Sequence, residues 1–139
     1  MDKDWDDALA HCRSLGGKLA MVEDASANTE IVNLLTAAGI DRAWIGLNDK
    51  AVAEGTFTWA REDASVSEVP LGAYAPWGTG QPANGNAFQD CVHLVDTGKW
   101  ASRTCDQEKA FVCEGIAPPP APPAAPPPAT QFSCFGAIQ

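Results

Sequence analysis

The chain opens with polar and apolar positions in a helical rhythm. Trp5, Ala8, Leu9, Cys12 and Leu15 recur at three- and four-residue spacing, which puts them on one face of a helix over residues 4–15. Asp4 stands before the run as an N-cap, and Asp7 falls at the third helical position, as in a capping box. Gly16-Gly17 supplies a left-handed stop. After a short apolar run over residues 19–22, Asp24 caps a second helix over residues 25–38. Ile31, Leu34, Leu35 and Ala38 form its apolar face and Gly39 ends it. From residue 43 the rhythm changes to short apolar or alternating runs, which predict strands over 43–47, 56–60, 91–95, 99–102 and 110–114. Trp44 and Trp59 sit in these runs and read as core. Between the runs at 56–60 and 91–95, residues 61–88 hold many turn formers and little periodicity. They predict one long loop, and loops of that length in compact domains are usually functional.

After Glu114 the composition changes abruptly. Residues 117–129 hold eight prolines, and every other position is alanine. Proline cannot donate a backbone hydrogen bond, so this stretch predicts polyproline II and a stiff spacer of about 40 Å. Beyond it, Gln131-Phe132-Ser133-Cys134-Phe135 turns apolar again. The expected division is therefore one domain over 1–115, a polyproline II spacer over 116–130, and the possible start of a further module over 131–139.

The remaining 115 residues suffice for a single core. The whole chain is 45% apolar and 19% charged, a globular composition. Its net charge of −9 argues against nucleic acid, which demands a basic stripe. Asp2, Asp4, Asp6 and Asp7 crowd one helix start, where they favour the helix dipole, and most other acids read as solvated surface. No apolar run approaches the roughly eighteen residues of a membrane span. Five cysteines in so short a chain point to an oxidising compartment. A zinc site would want Cys-x-x-Cys pairs or Cys/His clusters. The close pairs here, Cys105 with Cys113 and Cys91 with His93, lack such partners. Disulfides are expected, with their pairing left open by the sequence. The opening Met1-Asp2-Lys3-Asp4 is charged and carries no secretory signal, so the disulfide reading expects one upstream. His11 falls on the exposed side of the first helix, and His93 alternates outward on its strand. Neither has a nucleophile at catalytic spacing, and no phosphate-binding glycine loop is present. The chain reads as a non-enzyme. Tyr74, Trp77 and Phe88 lie in the long loop, where they could stack on a sugar, enter a partner, or pack the loop onto the domain.

Several motifs stand in a telling order: Cys12, Trp44-Ile45-Gly46-Leu47, Gly80-Gln81-Pro82, Asp90-Cys91-Val92, Cys105 and Cys113. Over residues 5–114 this order and spacing resemble the C-type lectin-like domain. The resemblance implies an α+β fold of two helices, small antiparallel sheets and a long loop region, stapled by disulfides. It implies the pairs Cys12–Cys113 and Cys91–Cys105, with Cys134 outside them. Members of the family begin with a strand that pairs with the last strand. Only residues 1–3 precede the first cap here, so that strand looks missing. The resemblance then implies an open edge on residues 110–114, to be filled by upstream residues or by a neighbouring chain.

Sugar-binding members of the family hold calcium in the long loop. The ligands come from a Glu-Pro-Asn or Gln-Pro-Asp tripeptide with a cis proline, a glutamate before the Asp-Cys pair, and a Trp-Asn-Asp strand. The spacing from Gln81 to Gln89 and from Cys91 to Trp100 keeps the family register. Ala83, Gln89, Ala101 and Ser102 therefore stand at ligand positions, and Gln81 alone keeps an acceptable oxygen. Calcium needs six to eight oxygens, several of them anionic, so the resemblance implies no sugar-coordinating calcium and no other cofactor. A slipped loop would let Asn84 take the place of Ala83. A secondary calcium site could use Asp90 with Glu62, Asp63 or Glu68. A third could use Glu114, although Ser26 stands at its helical position.

The expected function is non-enzymatic extracellular recognition: calcium-independent binding of a protein or glycan, within a longer chain or assembly. The alternative is a carbohydrate-binding lectin with an atypical calcium site. Trp77, Gln81, Asn84, Asn86, Gln89, Asp90 and Trp100 are the candidate ligand-binding residues. The alanine–proline blocks resemble the hydroxyproline-rich extracellular glycoproteins of plants and green algae.

Overall fold

The structure, a computed structural model, describes residues 2–53, 55–82, 89–115 and 132–136. Two helices and eight strands follow one another. They are α1 (Trp5–Ser14), β1 (Lys18–Leu19), α2 (Ala25–Ala38), β2 (Arg42–Ala53), β3 (Thr56–Trp59), β4 (Val69–Pro70), β5 (Cys91–Val95), β6 (Trp100–Arg103), β7 (Ala110–Glu114) and β8 (Phe132–Phe135).

Both helices start and stop where their residues require. The Asp4 carboxylate accepts the Asp7 N–H at 2.8 Å, and the Asp24 carboxylate accepts the Ala27 N–H at 2.9 Å. Gly39 closes α2 in the left-handed region at φ 70°. Two expected core positions turn outward instead. Leu15 is the C-cap of α1 and exposed, because the chain leaves the helical path there. Ala38 in the last turn of α2 is exposed as well.

All eight strands join one sheet. β2 is its trunk: it pairs antiparallel with β3 and β5, and parallel with β7. β5 continues to β6, and β3 to the short β4. Side chains alternate across this sheet into two cores. Ala43, Ile45 and Leu47 of β2, Val92 and Leu94 of β5, and Ala110 and Val112 of β7 meet Ile31 and Leu35 of α2. On the other face Trp44, Cys91, Phe111 and Cys113 meet Trp5, Ala8, Leu9 and Cys12 of α1. Each large apolar side chain buried this way contributes about 1.5–3 kcal/mol.

Gly46 shows why the Trp-Ile-Gly-Leu motif needs glycine. A Cβ there would stand 3.0 Å from the Leu19 carbonyl oxygen and 3.2 Å from that of Ala20. The close approach lets the Gly46 N–H donate to the Ala20 carbonyl at 2.9 Å, so residues 19–20 lie against the trunk strand.

Two disulfides tie the layers. Cys12–Cys113 joins α1 to β7, and Cys91–Cys105 joins β5 to the turn before β7. Cys134 is a free thiol, half-buried, with burial pushing its pKa up.

Three expectations are corrected. His93 does not point to solvent: it is 1% exposed, because the second face of β5 is also covered, with the Trp44 ring 6.3 Å away. His11 is not a free surface residue either, since its ring sits edge-on to Phe111 and Phe135. The edge of β7, expected to be open within this chain, is not: Phe132–Phe135 pairs there as β8. Residues 116–130, read as a spacer, lie outside the described residues.

Candidate functional site

The long loop is held to the sheet by a strap along β6. The Gly78 N–H donates to the Trp100 carbonyl at 2.9 Å, and the Trp100 N–H donates to that of Pro76 at 3.0 Å. Residue 77 thus lies beside residue 100 like a short parallel strand. The Gln81–Pro82 peptide bond is cis. The Gln81 side-chain oxygen accepts from the Ser102 N–H at 2.9 Å and from its hydroxyl at 3.1 Å. The amide expected to face a ligand therefore spends its oxygen on the sheet.

Under the strap lies an aromatic cluster centred on Trp100. Trp59, Tyr74 and Trp77 all meet its ring edge-to-face, with centroids 5.6, 5.9 and 5.8 Å away. Such pairs are worth about 0.5–1.5 kcal/mol each beyond burial. The Trp100 indole N–H donates to the Asn28 side-chain oxygen at 3.0 Å, and the Asn28 amide donates to the Gly98 carbonyl at 2.9 Å. Trp100 has no exposed surface. It supports the loop from below. Trp77 and Tyr74 are half-buried.

The structure places the remaining candidates less closely together. Gln89 and Asp90 are half-buried at the entrance to β5. Asp90 offers its backbone carbonyl to the Asp49 N–H at 3.0 Å, and its carboxylate oxygen Oδ1 is buried with no hydrogen-bond partner among the described residues. Asn84 and Asn86 lie outside the described residues. Glu62 and Asp63 are exposed, and backbone N–H groups lower both pKa values, that of Ser65 in the case of Asp63. Glu68 turns inward, where one oxygen accepts from Thr58 at 2.7 Å and from the Asn48 amide at 3.1 Å. Glu114 accepts the Met21 N–H at 2.6 Å, and burial pushes its pKa up. Glu68 and Glu114 thus serve as struts, while Glu62 and Asp63 face solvent. Among the described residues, no group of three or more His, Cys, Asp or Glu is arranged to hold a metal.

Sequence reasoning missed the polar contact between β2 and the start of the loop. Asn48 is 1% exposed and donates to the Gly46 and Thr58 carbonyls as well as to Glu68. Buried Asp49 accepts the Gly55 N–H at 2.8 Å. Asn48 and Glu68 bound one end of a groove of about 530 Å³ between α1 and the loop, along with Trp5, Leu9 and Lys50. The signal was the Asn-Asp pair itself, polar residues continuing an otherwise apolar strand.

A family model for the lectin C-type domain matches residues 1–115. The chain belongs to this family. Collectin-10 of Gallus gallus is 38% identical over 113 residues, and collectin-11 of Danio rerio 36% identical over 113 residues. Each match covers 81% of this chain and 38–39% of the collectin, so the chain spans about two-fifths of those relatives' length. Human lithostathine superposes with a TM-score of 0.67 at 30% identity, over 81% of this chain and 83% of that one. The cow CD23 C-type carbohydrate-recognition domain, solved in the presence of a GlcNAc2Man3 oligosaccharide, gives 0.67 at 28% identity, over 84% and 83%. The C-type lectin fold, with two helices, a mixed sheet and two disulfides, is therefore the fold of this chain.

Proposed function

We propose that this domain is a non-enzymatic extracellular recognition module that binds a protein or glycan without calcium, as one part of a larger cell-surface, wall or appendage assembly. The observation that carries this reading is the bond from Gln81 to Ser102. A side chain at a calcium-ligand position is already satisfied within the protein, beside a methyl group at Ala101. Calcium requires several anionic oxygens, and the described positions in register offer the spent amide of Gln81, the amide of Gln89, a hydroxyl and a methyl, with no carboxylate among them. That set does not fit the ion. The half-buried aromatic residues Tyr74 and Trp77, in the same loop as Gln81 and Pro82, suit stacking against a sugar face or burial in a protein. The two disulfides favour an oxidising, extracellular setting. The proline blocks support a place in a longer molecule of the hydroxyproline-rich type.

A second reading, a lectin with an atypical calcium site, draws on the buried and unpartnered Asp90 oxygen near the long loop. A glycan array probed with and without chelator separates the two. Binding that survives chelator, and falls on Trp77→Ala, supports calcium-independent recognition. Binding abolished by chelator overturns it in favour of the second reading.

A further inference from the structure

We propose that a cavity between the segment entering α2 and the long loop binds a quaternary ammonium ion of the choline type. The cavity measures about 110 Å³ and is lined by Val22, Glu23, Trp59, Pro70, Gly72 and Tyr74. β4 pairs with β3 through Trp59–Val69 and Thr58–Pro70, which sets Pro70 and the turn after it beside the end of β3. Val22, with no exposed surface, and Trp59, 1% exposed, form the closed end. Tyr74 is half-buried, and Glu23 and Pro70 are exposed at the mouth. Both aromatic rings are already fixed, since each meets Trp100 edge-to-face. A ligand therefore enters without having to order them.

Size and charge select the occupant. A cavity of about 150 Å³ takes benzene, so this one holds a single compact group of about five heavy atoms, the size of a trimethylammonium head. Glu23 forms no ion pair among the described residues. The field around the mouth is negative. After burial itself, the Asp24 charge pushes the Tyr74 phenol pKa up, and Glu23 and Glu62 add to the rise that burial gives Glu114. Lys18 opposes them, with its amine 3.8 Å from Glu114. A neutral apolar group would forgo this field, and a carboxylate or phosphate would be repelled. A lysine ammonium is a strongly hydrated point charge and would leave its water for mostly apolar walls. A divalent metal ion needs several more oxygens than the Glu23 carboxylate offers. A methylated nitrogen keeps the positive charge, brings its own apolar surface, and is attracted to aromatic rings. Tyr74 also belongs to the long-loop candidates, but Glu23, Trp59 and Pro70 do not, so this inference does not rest on what that loop binds.

The test titrates the full 139-residue chain with choline chloride at constant ionic strength, following the indole N–H signals by NMR. Three further titrations run beside it: dimethylbutanol, the neutral isostere in which carbon replaces the charged nitrogen; phosphocholine; and calcium chloride. Choline is expected to shift the Trp59 signal and to bind about tenfold tighter than its isostere, the difference measuring the charge. Phosphocholine, whose phosphate meets Glu23 and Asp24, is expected to bind severalfold more weakly than choline. Glu23→Gln, at an exposed position, lowers choline affinity severalfold. Tyr74→Phe keeps the affinity because the ring stays, and Tyr74→Leu loses it. Melting curves that match the parent show that the variants fold, and Glu23→Gln alone decides the matter if Tyr74→Leu does not. Equal binding of choline and its isostere, or an unchanged affinity in Glu23→Gln, overturns the proposal. So does the absence of any shift at about 100 mM choline, or calcium that produces the same shifts and displaces choline.

Discussion

His93 shows how one residue's environment becomes a property of the protein. Its ring is buried, its Nδ1 has no hydrogen-bond partner, and burial holds its pKa down at about 3, with Lys109, Arg103 and Arg42 adding repulsion. The unfolded chain takes up this proton near pH 6.5, and the folded chain refuses it until about pH 3. Between these values the unfolded state holds the extra proton, so stability rises with pH and is lost as pH falls. The slope reaches about 1.4 kcal/mol per pH unit. Urea unfolding from pH 7 to pH 4 should show this loss, and His93→Phe should flatten it. Gln81 makes a second residue-scale case. Gln81→Ala removes the acceptor of two Ser102 hydrogen bonds and should cost about 1–3 kcal/mol, while Gln81→Glu, which keeps an acceptor there, should cost less in the same measurement. Neither role was legible in the sequence. Alternation placed His93 on the face of β5 opposite Val92 and Leu94, but it could not show that this face is covered too.

At the scale of elements, the disulfides divide the labour. Cys12–Cys113 closes a sequence separation of 101 residues and Cys91–Cys105 one of 14. Loop-closure entropy then predicts losses of about 4.7 and about 3 kcal/mol on their removal. Paired Cys→Ala variants compared by denaturant midpoint should rank in that order, and equal losses would point to strain or residual structure instead. The helices and strands β5 and β7 were legible nearly to the residue, because caps, glycine stops and apolar alternation are local signals. β2 was not: its expected five residues extend to Ala53, since Asn48 and Asp49 are polar and read as a strand end. Their hydrogen bonds go to Gly46, Thr58, Glu68 and Gly55, partners that only the fold brings close.

At the scale of the whole molecule, a metal that binds the native state adds stability by mass action. With Gln81 bound to Ser102 and Glu68 bound to Thr58 and Asn48, adding a chelator should leave the melting temperature unchanged. A drop of several degrees would place an ion at Asp90 and credit the second reading of the long loop. The same scale holds the contrast at β7. Its edge was expected to stay open within the chain, yet residues 132–135 match both cores through one alternation.

By itself the sequence determined the helices, the order of the core strands, the two staples through family spacing, and the loss of calcium-type ligands. These rest on side-chain periodicity, capping chemistry and residue identity at counted positions. Only the tertiary structure decided that Gln81 is spent on Ser102, that Trp100 lies beneath the loop, that both histidines are packed, and that β8 closes the β7 edge. Each of these depends on which distant residue arrives opposite, and the covering of a face or an edge is set by the packing of layers.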